Sequence, residues 1–295
     1  MADKIKIIGI PVDLGQILRG VDMGPSAVRY AGLAGKLCKL GYDVTDYGNI
    51  EVPIRASLQD GQDAILKALT DANEEIYKIA KEAVNEGYKP VFIGGDHSLS
   101  IGTIGGITHE KRCGVIWVDA HGDFNTPTTS KSGNIHGMPV ATLLGYGHDA
   151  LIKIGRDGAK IQPEDIVLIG LRDLDRGEQK AIRDSGITYF TMRDIDENGV
   201  KYVMQKALEK LQNFDNIHCS FDMDVLDPTE APGVGTPVKG GLTYREAHLM
   251  MEIVADTDKV CSMDIVEINP ILDKYNVTAN IAVNLAVSLF GKSII

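Results

Sequence analysis

Cysteine is scarce in this chain and nowhere closely spaced: Cys38, Cys113, Cys219 and Cys261 stand far apart, with no Cys-x-x-Cys among them. That spacing argues against a zinc-thiolate motif or a disulfide framework and fits a reducing cytoplasm. Long apolar runs are missing too. The longest candidate, near the C-terminus, is broken by Asn284, so no segment reaches the roughly 20 apolar residues of a membrane-spanning helix. Met1 to Asp13 sets Ile5, Ile7, Ile8 and Ile10 around Lys6 and closes on Pro11 and Asp13, the pattern of a strand rather than of a signal peptide. Basic residues are in deficit, 30 Lys and Arg against 41 Asp and Glu, for a net charge of -11. Such a surface has no generic attraction to phosphate backbones, so neither nucleic acid nor membrane is an expected partner.

What is present reads as an ordinary globular chain: 44% hydrophobic and 24% charged residues with 32 glycines over 295 residues. No linker, low-complexity tract or fixed-period repeat divides it, so residues 1–295 are expected to form a single domain. Short β-rich apolar runs recur at Lys4 to Asp13, Tyr42 to Ile50, Pro90 to Gly95, Gly114 to Ala120, Ile166 to Leu171, Ile187 to Thr191, Ile217 to Met223 and Val260 to Ile268. Segments of helical periodicity separate them, including Pro25 to Leu40, Gly61 to Glu86, Val200 to Leu211, Thr243 to Ala255 and Ala279 to Phe290. Alternation of this kind predicts repeated βαβ units on a parallel sheet, and pattern alone leaves both an open sheet and a closed (β/α)₈ barrel possible. Phe124 to His136 has neither periodicity and reads as a surface loop of the kind that carries binding groups.

Carboxylates and imidazoles gather where the strands end. His97 follows one strand; Asp119, His121 and Asp123 end the next long one; Asp222 and Asp224 end a later one. Ligands of open parallel sheets bind beyond the carboxyl ends of the strands, so residues distant in sequence can share a site there. Residues at i, i+2 and i+4 of an extended strand point one way and lie roughly 6.5 Å apart, so Asp119, His121 and Asp123 would line up if extended geometry persisted, as would Asp222 and Asp224. Four aspartates and two imidazoles balance two divalent cations, which sit about 3.5–4 Å apart in catalytic pairs and deliver an activated water at neutral pH. A carboxylate-rich set without thiolate suits Mn²⁺ better than structural Zn²⁺. Asp96, Asp173 and Asp227 read as turn formers or helix caps, and Cys219 and Cys261 as small core residues.

Gly94-Gly-Asp-His97, Asp119-Ala-His-Gly-Asp123, Ser220-Phe-Asp-Met-Asp-Val-Leu-Asp-Pro228 and Val266-Glu-Ile-Asn-Pro270 resemble, in order and spacing, the motifs of the arginase/agmatinase ureohydrolases. Arg19-Gly-Val-Asp-Met-Gly-Pro25 and Gly235-Thr-Pro-Val-Lys-Gly-Gly241 extend the resemblance over nearly the whole chain. It implies an α/β fold of three layers, αβα, with an open and mainly parallel eight-stranded sheet. It also implies two Mn²⁺ per subunit, held by His97, Asp119, His121, Asp123, Asp222 and Asp224, and a homo-oligomer, trimer or hexamer.

Substrate choice within the family falls to the loop after the first cluster. Asn125, Ser132 and Asn134 resemble groups that bind a substrate α-carboxylate, and Asp175 resembles one that meets the α-amino group; neutral donors suit a carboxylate and an ionised Asp an ammonium. These matches imply L-arginine, cleaved to L-ornithine and urea, with agmatine or another guanidino compound as the alternative substrate. His136 matches the proton-transfer histidine, Glu267 the residue that pairs with the guanidinium, and Asp123 also a hydrogen-bond partner of the attacking oxygen. Thr236 is expected to orient these groups. The chain departs from the animal pattern at Gly122, where Thr is usual, and at Val225, where Gly is usual.

Overall fold

The computed structural model describes residues 3–58 and 61–293. Eight strands, β1 (Lys4–Ile10), β2 (Asp43–Asn49), β3 (Tyr88–Gly94), β4 (Gly114–Val118), β5 (Ile166–Leu171), β6 (Thr188–Thr191), β7 (Ile217–Asp222) and β8 (Val260–Val266), form one sheet in the order β2-β1-β3-β8-β7-β4-β5-β6. Every strand pairing is parallel. β2 and β6 are edges, so the sheet is open and the barrel alternative is excluded. Covered on both faces, β4, β5 and β7 are buried at every position, whereas the edge strand β2 has no buried position.

The helices are α1 (Gly24–Tyr30), α2 (Leu33–Lys39), α3 (Gln62–Asn85), α4 (Ser100–Ile107), α5 (Pro139–Leu143), α6 (Asp149–Ile152), α7 (Arg176–Ser185), α8 (Met192–Asn198), α9 (Val200–Lys210), α10 (Tyr244–Ala255) and α11 (Val277–Leu289). On one face of the sheet Ile7, Ile93, Val118, Phe221 and Ile265 build a continuous core with α1, α2 and α8–α11. The opposite face carries two separate clusters: Ile8, Phe92 and Val266 with α3, and Val115, Trp117 and Leu168 with α5 and Ile182 of α7. Between them β7 and β8 present His218, Ser220, Ser262 and Asp264, all buried. α4 lies over this strip, giving Ile101 to one cluster and Ile104 to the other, while Ser100 and Thr103 reach the strip.

The predicted helix over Pro25 to Leu40 is two helices. The chain breaks at Ala31 and Gly32, where Gly32 takes a left-handed φ of 85°. α4 went unpredicted because Ser-Ile-Gly-Thr-Ile-Gly-Gly-Ile is poor in helix formers. Its glycines serve close packing on α3: a Cβ at Gly106 would stand 2.4 Å from the Tyr77 carbonyl oxygen. Among the described residues no helix is long and apolar enough to cross a membrane.

Candidate metal centre

Four strands deliver the site. At the end of β3, Asp96 accepts from the Ser98 N–H at 3.1 Å and from Leu14 and Gly15 at 3.0 and 2.8 Å, the turn-forming part expected of it. The turn aims His97 inward, where its ring stacks on Trp117 with centroids 4.0 Å apart. Trp117 donates at 3.1 Å to Asp119 Oδ2.

Extended geometry does not persist past the strand ends, so the carboxylates are not lined up as a strand would line them. β4 stops at Val118 and β7 at Asp222. Asp119 instead accepts the His121 N–H at 2.7 Å, and Asp222 accepts the Asp224 N–H at 2.8 Å, two side-chain turns that fold the chain back on itself. Asp123 takes a left-handed φ of 48°. The result is a tighter cluster than a row: His97 Nδ1 is 3.2 Å from an oxygen of each of Asp119, Asp123 and Asp222. His121 Nδ1 is 3.4 Å from Asp119 and 3.0 Å from Asp224. Two groups able to hold an ion result, His97 with Asp119 and Asp222, and Asp119 with His121 and Asp224, and Asp119 belongs to both.

The donor set fits cations. His97 Nδ1 and Asp123 Oδ2 are buried without a hydrogen-bond partner among the described residues, although each faces opposite charge. Burial and neighbouring Asp119 push Asp123 up to about 6, and burial with Asp224 pushes Asp222 well above the carboxylate range. Burial opposes charge on both imidazoles, yet the aspartates outweigh it and raise His97 and His121 well above their usual range. Four carboxylates packed this closely need positive charge among them, from protons or from metal.

The neighbours of this cluster are equally fixed. Thr236 donates to Asp224 Oδ2 at 2.9 Å, and Arg172 donates to the carbonyl oxygens of Asp224 and Val238, both at 2.7 Å. Glu267, at a φ of 63°, accepts the His97 N–H at 3.0 Å, bonds His136 Nδ1 at 2.9 Å and accepts from Gln16 at 2.9 Å. Against the effect of burial, Glu267 raises His136 to about 9.

A cavity of about 400 Å³ opens above the cluster, lined by every residue singled out from the sequence except Asp119 and Glu267, which lie buried behind it. On its rim Asn125 Oδ1 accepts from Thr129 at 3.0 Å, and Ser132 Oγ accepts from the Asn134 N–H at 3.2 Å. Several lining residues were given no site role from the sequence, among them Lys131, Glu178 and Asp173, the last having been read as a turn former or cap. Lys131 pairs with Asp175 at 2.5 Å, Asp173 comes within 3.9 Å of His121, and Glu178 is buried and raised to about 7, chiefly by that burial. Glu178 accepts the Phe124 N–H at 2.9 Å, so it anchors the start of the rim loop.

The structure accounts for the first departure from the animal pattern and shows the surroundings of the second. A Cβ at Gly122 would stand 2.6 Å from Ile182 and 2.9 Å from Leu174, so neighbouring side chains fill the space a Thr would need. Val225 is fully buried and lies over Gly170. Gly122→Thr is therefore expected to overpack the turn between His121 and Asp123 and cost about 1–3 kcal/mol. Thermal unfolding checks this; an unchanged midpoint would contradict it.

Buried carboxylates and imidazoles sharing one aspartate at the carboxyl ends of a parallel sheet mark a metal-binding protein of the open α/β class. The model of the arginase family matches residues 3–291. An arginase from Bacillus caldovelox is 52% identical over 98% of this chain and 99% of its own length. The solved structure of arginase from that organism superposes with a TM-score of 0.96, at 51% identity and with 100% of each chain covered. An Entamoeba histolytica arginase solved with L-ornithine gives a TM-score of 0.90 at 34% identity, with 99% of each chain covered. The chain belongs to the arginase family.

Proposed function

We propose that the protein is an arginase that hydrolyses L-arginine to L-ornithine and urea and holds two Mn²⁺ per subunit. The observation that carries this reading is a single cavity with the doubled Asp/His cluster as its floor and Asn125, Ser132, Asn134 and Asp175 on its rim. His97, Asp119, His121, Asp123, Asp222 and Asp224 would hold the ions, with Asp119 shared between them. When bound, the metal supplies an activated water at neutral pH.

The chain's own residues do the rest. Asn125, Ser132 and Asn134 take the substrate α-carboxylate, and the α-ammonium takes over Asp175 from Lys131. The side chain then reaches down, bringing the guanidinium to the buried negative charge of Glu267 beside His136. Water adds to the guanidinium carbon while Asp123 accepts a hydrogen bond from it, the bond to the side-chain nitrogen breaks, and His136 passes a proton to that nitrogen. Thr236 steadies Asp224. Burial keeps bulk water from competing for these contacts. The protein works as a cytoplasmic homo-oligomer, trimer or hexamer.

Urea release from L-arginine, agmatine and guanidinobutyrate by Mn²⁺-loaded protein tests the assignment; turnover of agmatine but not L-arginine would sink it. Ser132→Ala and Asp175→Ala are expected to lower the arginine-to-agmatine ratio of kcat/KM by roughly tenfold or more, since each removes a hydrogen bond to a charged group. An unchanged ratio in both would remove the rim loop from substrate choice.

A further inference from the structure

On the face covered by α4, β7 and β8 carry polar side chains where a doubly covered sheet normally carries apolar ones. Ser262 stands across from His218, and Asp264 across from Ser220. All four are 0% exposed. Buried polar groups are costly unless partnered, so such a strip needs a physical account.

The contacts converge on one carboxylate oxygen. Ser100 donates to Asp264 Oδ2 at 2.7 Å, Thr103 at 2.9 Å and Ser220 at 3.4 Å, and His218 Nε2 stands 3.3 Å away. Burial works against its charge, yet His218, Ser100 and Thr103 outweigh burial and hold Asp264 below the ordinary carboxylate value. An ionised carboxylate only accepts.

That one-way character passes to Ser220, whose hydroxyl has one proton and stands 2.8 Å from His97 Nε2. With the proton turned towards Asp264, or towards Ser100 at 3.4 Å, Ser220 offers His97 only lone pairs. When a cation takes the place of the second proton, the neutral ring must then keep its proton on Nε2 and leave Nδ1 bare, and Nδ1 is the atom that faces Asp119, Asp123 and Asp222.

We infer that Asp264 is a positioning residue which, through Ser220, fixes the tautomer and tilt of His97 and so the strength of the His97 half of the metal centre. The inference rests on the reading of that centre as a Mn²⁺ site. Asp264 touches neither the cavity nor any of the six proposed ligands.

The test is Mn²⁺ titration of the metal-stripped full-length protein, alongside thermal unfolding of the stripped form. Asp264→Asn keeps the shape but supplies an N–H donor that can reverse the Ser220 hydroxyl. It is expected to weaken one ion's binding by about 10–100-fold, the range for groups behind metal ligands, with the other ion held as before and the stripped protein's unfolding midpoint close to the parent's. In a Ser220→Ala background the same substitution should add nothing, because the relay is already cut. Unaltered Mn²⁺ affinity in Asp264→Asn, or a loss undiminished in the Ser220→Ala background, would overturn the proposal. Should Asp264→Asn not fold, the pair Ser100→Ala and Thr103→Val removes the competing donors and leaves Ser220 to Asp264. Full Mn²⁺ affinity in that variant supports the proposal and weakened affinity overturns it. A parent protein that binds no Mn²⁺ would defeat the metal reading itself.

Discussion

Asp119→Ala is expected to strip metal from both halves of the centre and reduce urea release by more than the roughly 10–100-fold that contacts behind metal ligands carry. The reason lies in where β4 stops. Because the strand ends at Val118, the Asp119 carboxylate straddles the cluster, one oxygen 3.2 Å from His97 Nδ1 and the other 3.4 Å from His121 Nδ1. Loss of an unshared ligand weakens one half; loss of the shared one weakens both and leaves Asp222 and Asp224 facing each other with less positive charge between them. Elemental analysis of the purified variant is the check. Metal content equal to the parent's would show that Asp119 is not the shared ligand.

His136→Ala is expected to do the reverse: metal content stays at the parental level while kcat falls by about 10²–10⁴, the range for a lost proton carrier. Since His136 Nδ1 bonds Glu267 and not the aspartates of the cluster, its removal leaves the six proposed ligands in place. The pair also has a stability signature. His136 rises from 6.5 to about 9 in the folded protein, so its contribution is whole below pH 6.5 and is lost as pH climbs through about 9. Glu267 is shifted the other way, held below its ordinary value by His136 although burial opposes this, so its contribution is present above that value and is lost on acidification. The variant should therefore lack the alkaline loss of thermal stability that the parent shows between about pH 6.5 and 9. Parental kcat, or an unaltered alkaline slope, would remove His136 from the proposed role.

The central strands were legible because parallel strands covered on both faces read as apolar runs between helical segments, and β4, β5 and β7 are of that kind. Their last residues were not legible. Asp119 and Asp222 sit where the ladder ends, and a carboxylate that caps its own turn looks in sequence like one more alternating position. Whether the sheet closes could not be read from periodicity either, because strand order is decided by which helix covers which face. At the site, the ligands and the rim loop were found through motifs at strand ends. Lys131 and Glu178 were missed since each is an ordinary charge in its own segment and gains its place only when α7 packs against the rim loop. The strip of His218, Ser220, Ser262 and Asp264 left a signal that could have been read: polar residues at every second position of strands otherwise apolar enough to be central.

That strip has a consequence for the cohesion of the molecule. It parts one face of the sheet into two oily halves joined by a hydrophilic seam, so the protein forgoes the fused interior that leucines there would give. Replacing buried, paired charges with well-packed apolar residues of similar volume is often neutral or stabilising. A version of this chain with Leu or Val along the seam would thus be a plausible folder, sturdier without metal, and a poor holder of His97. The seam that parts these two clusters and the support of the His97 ring are one and the same structure.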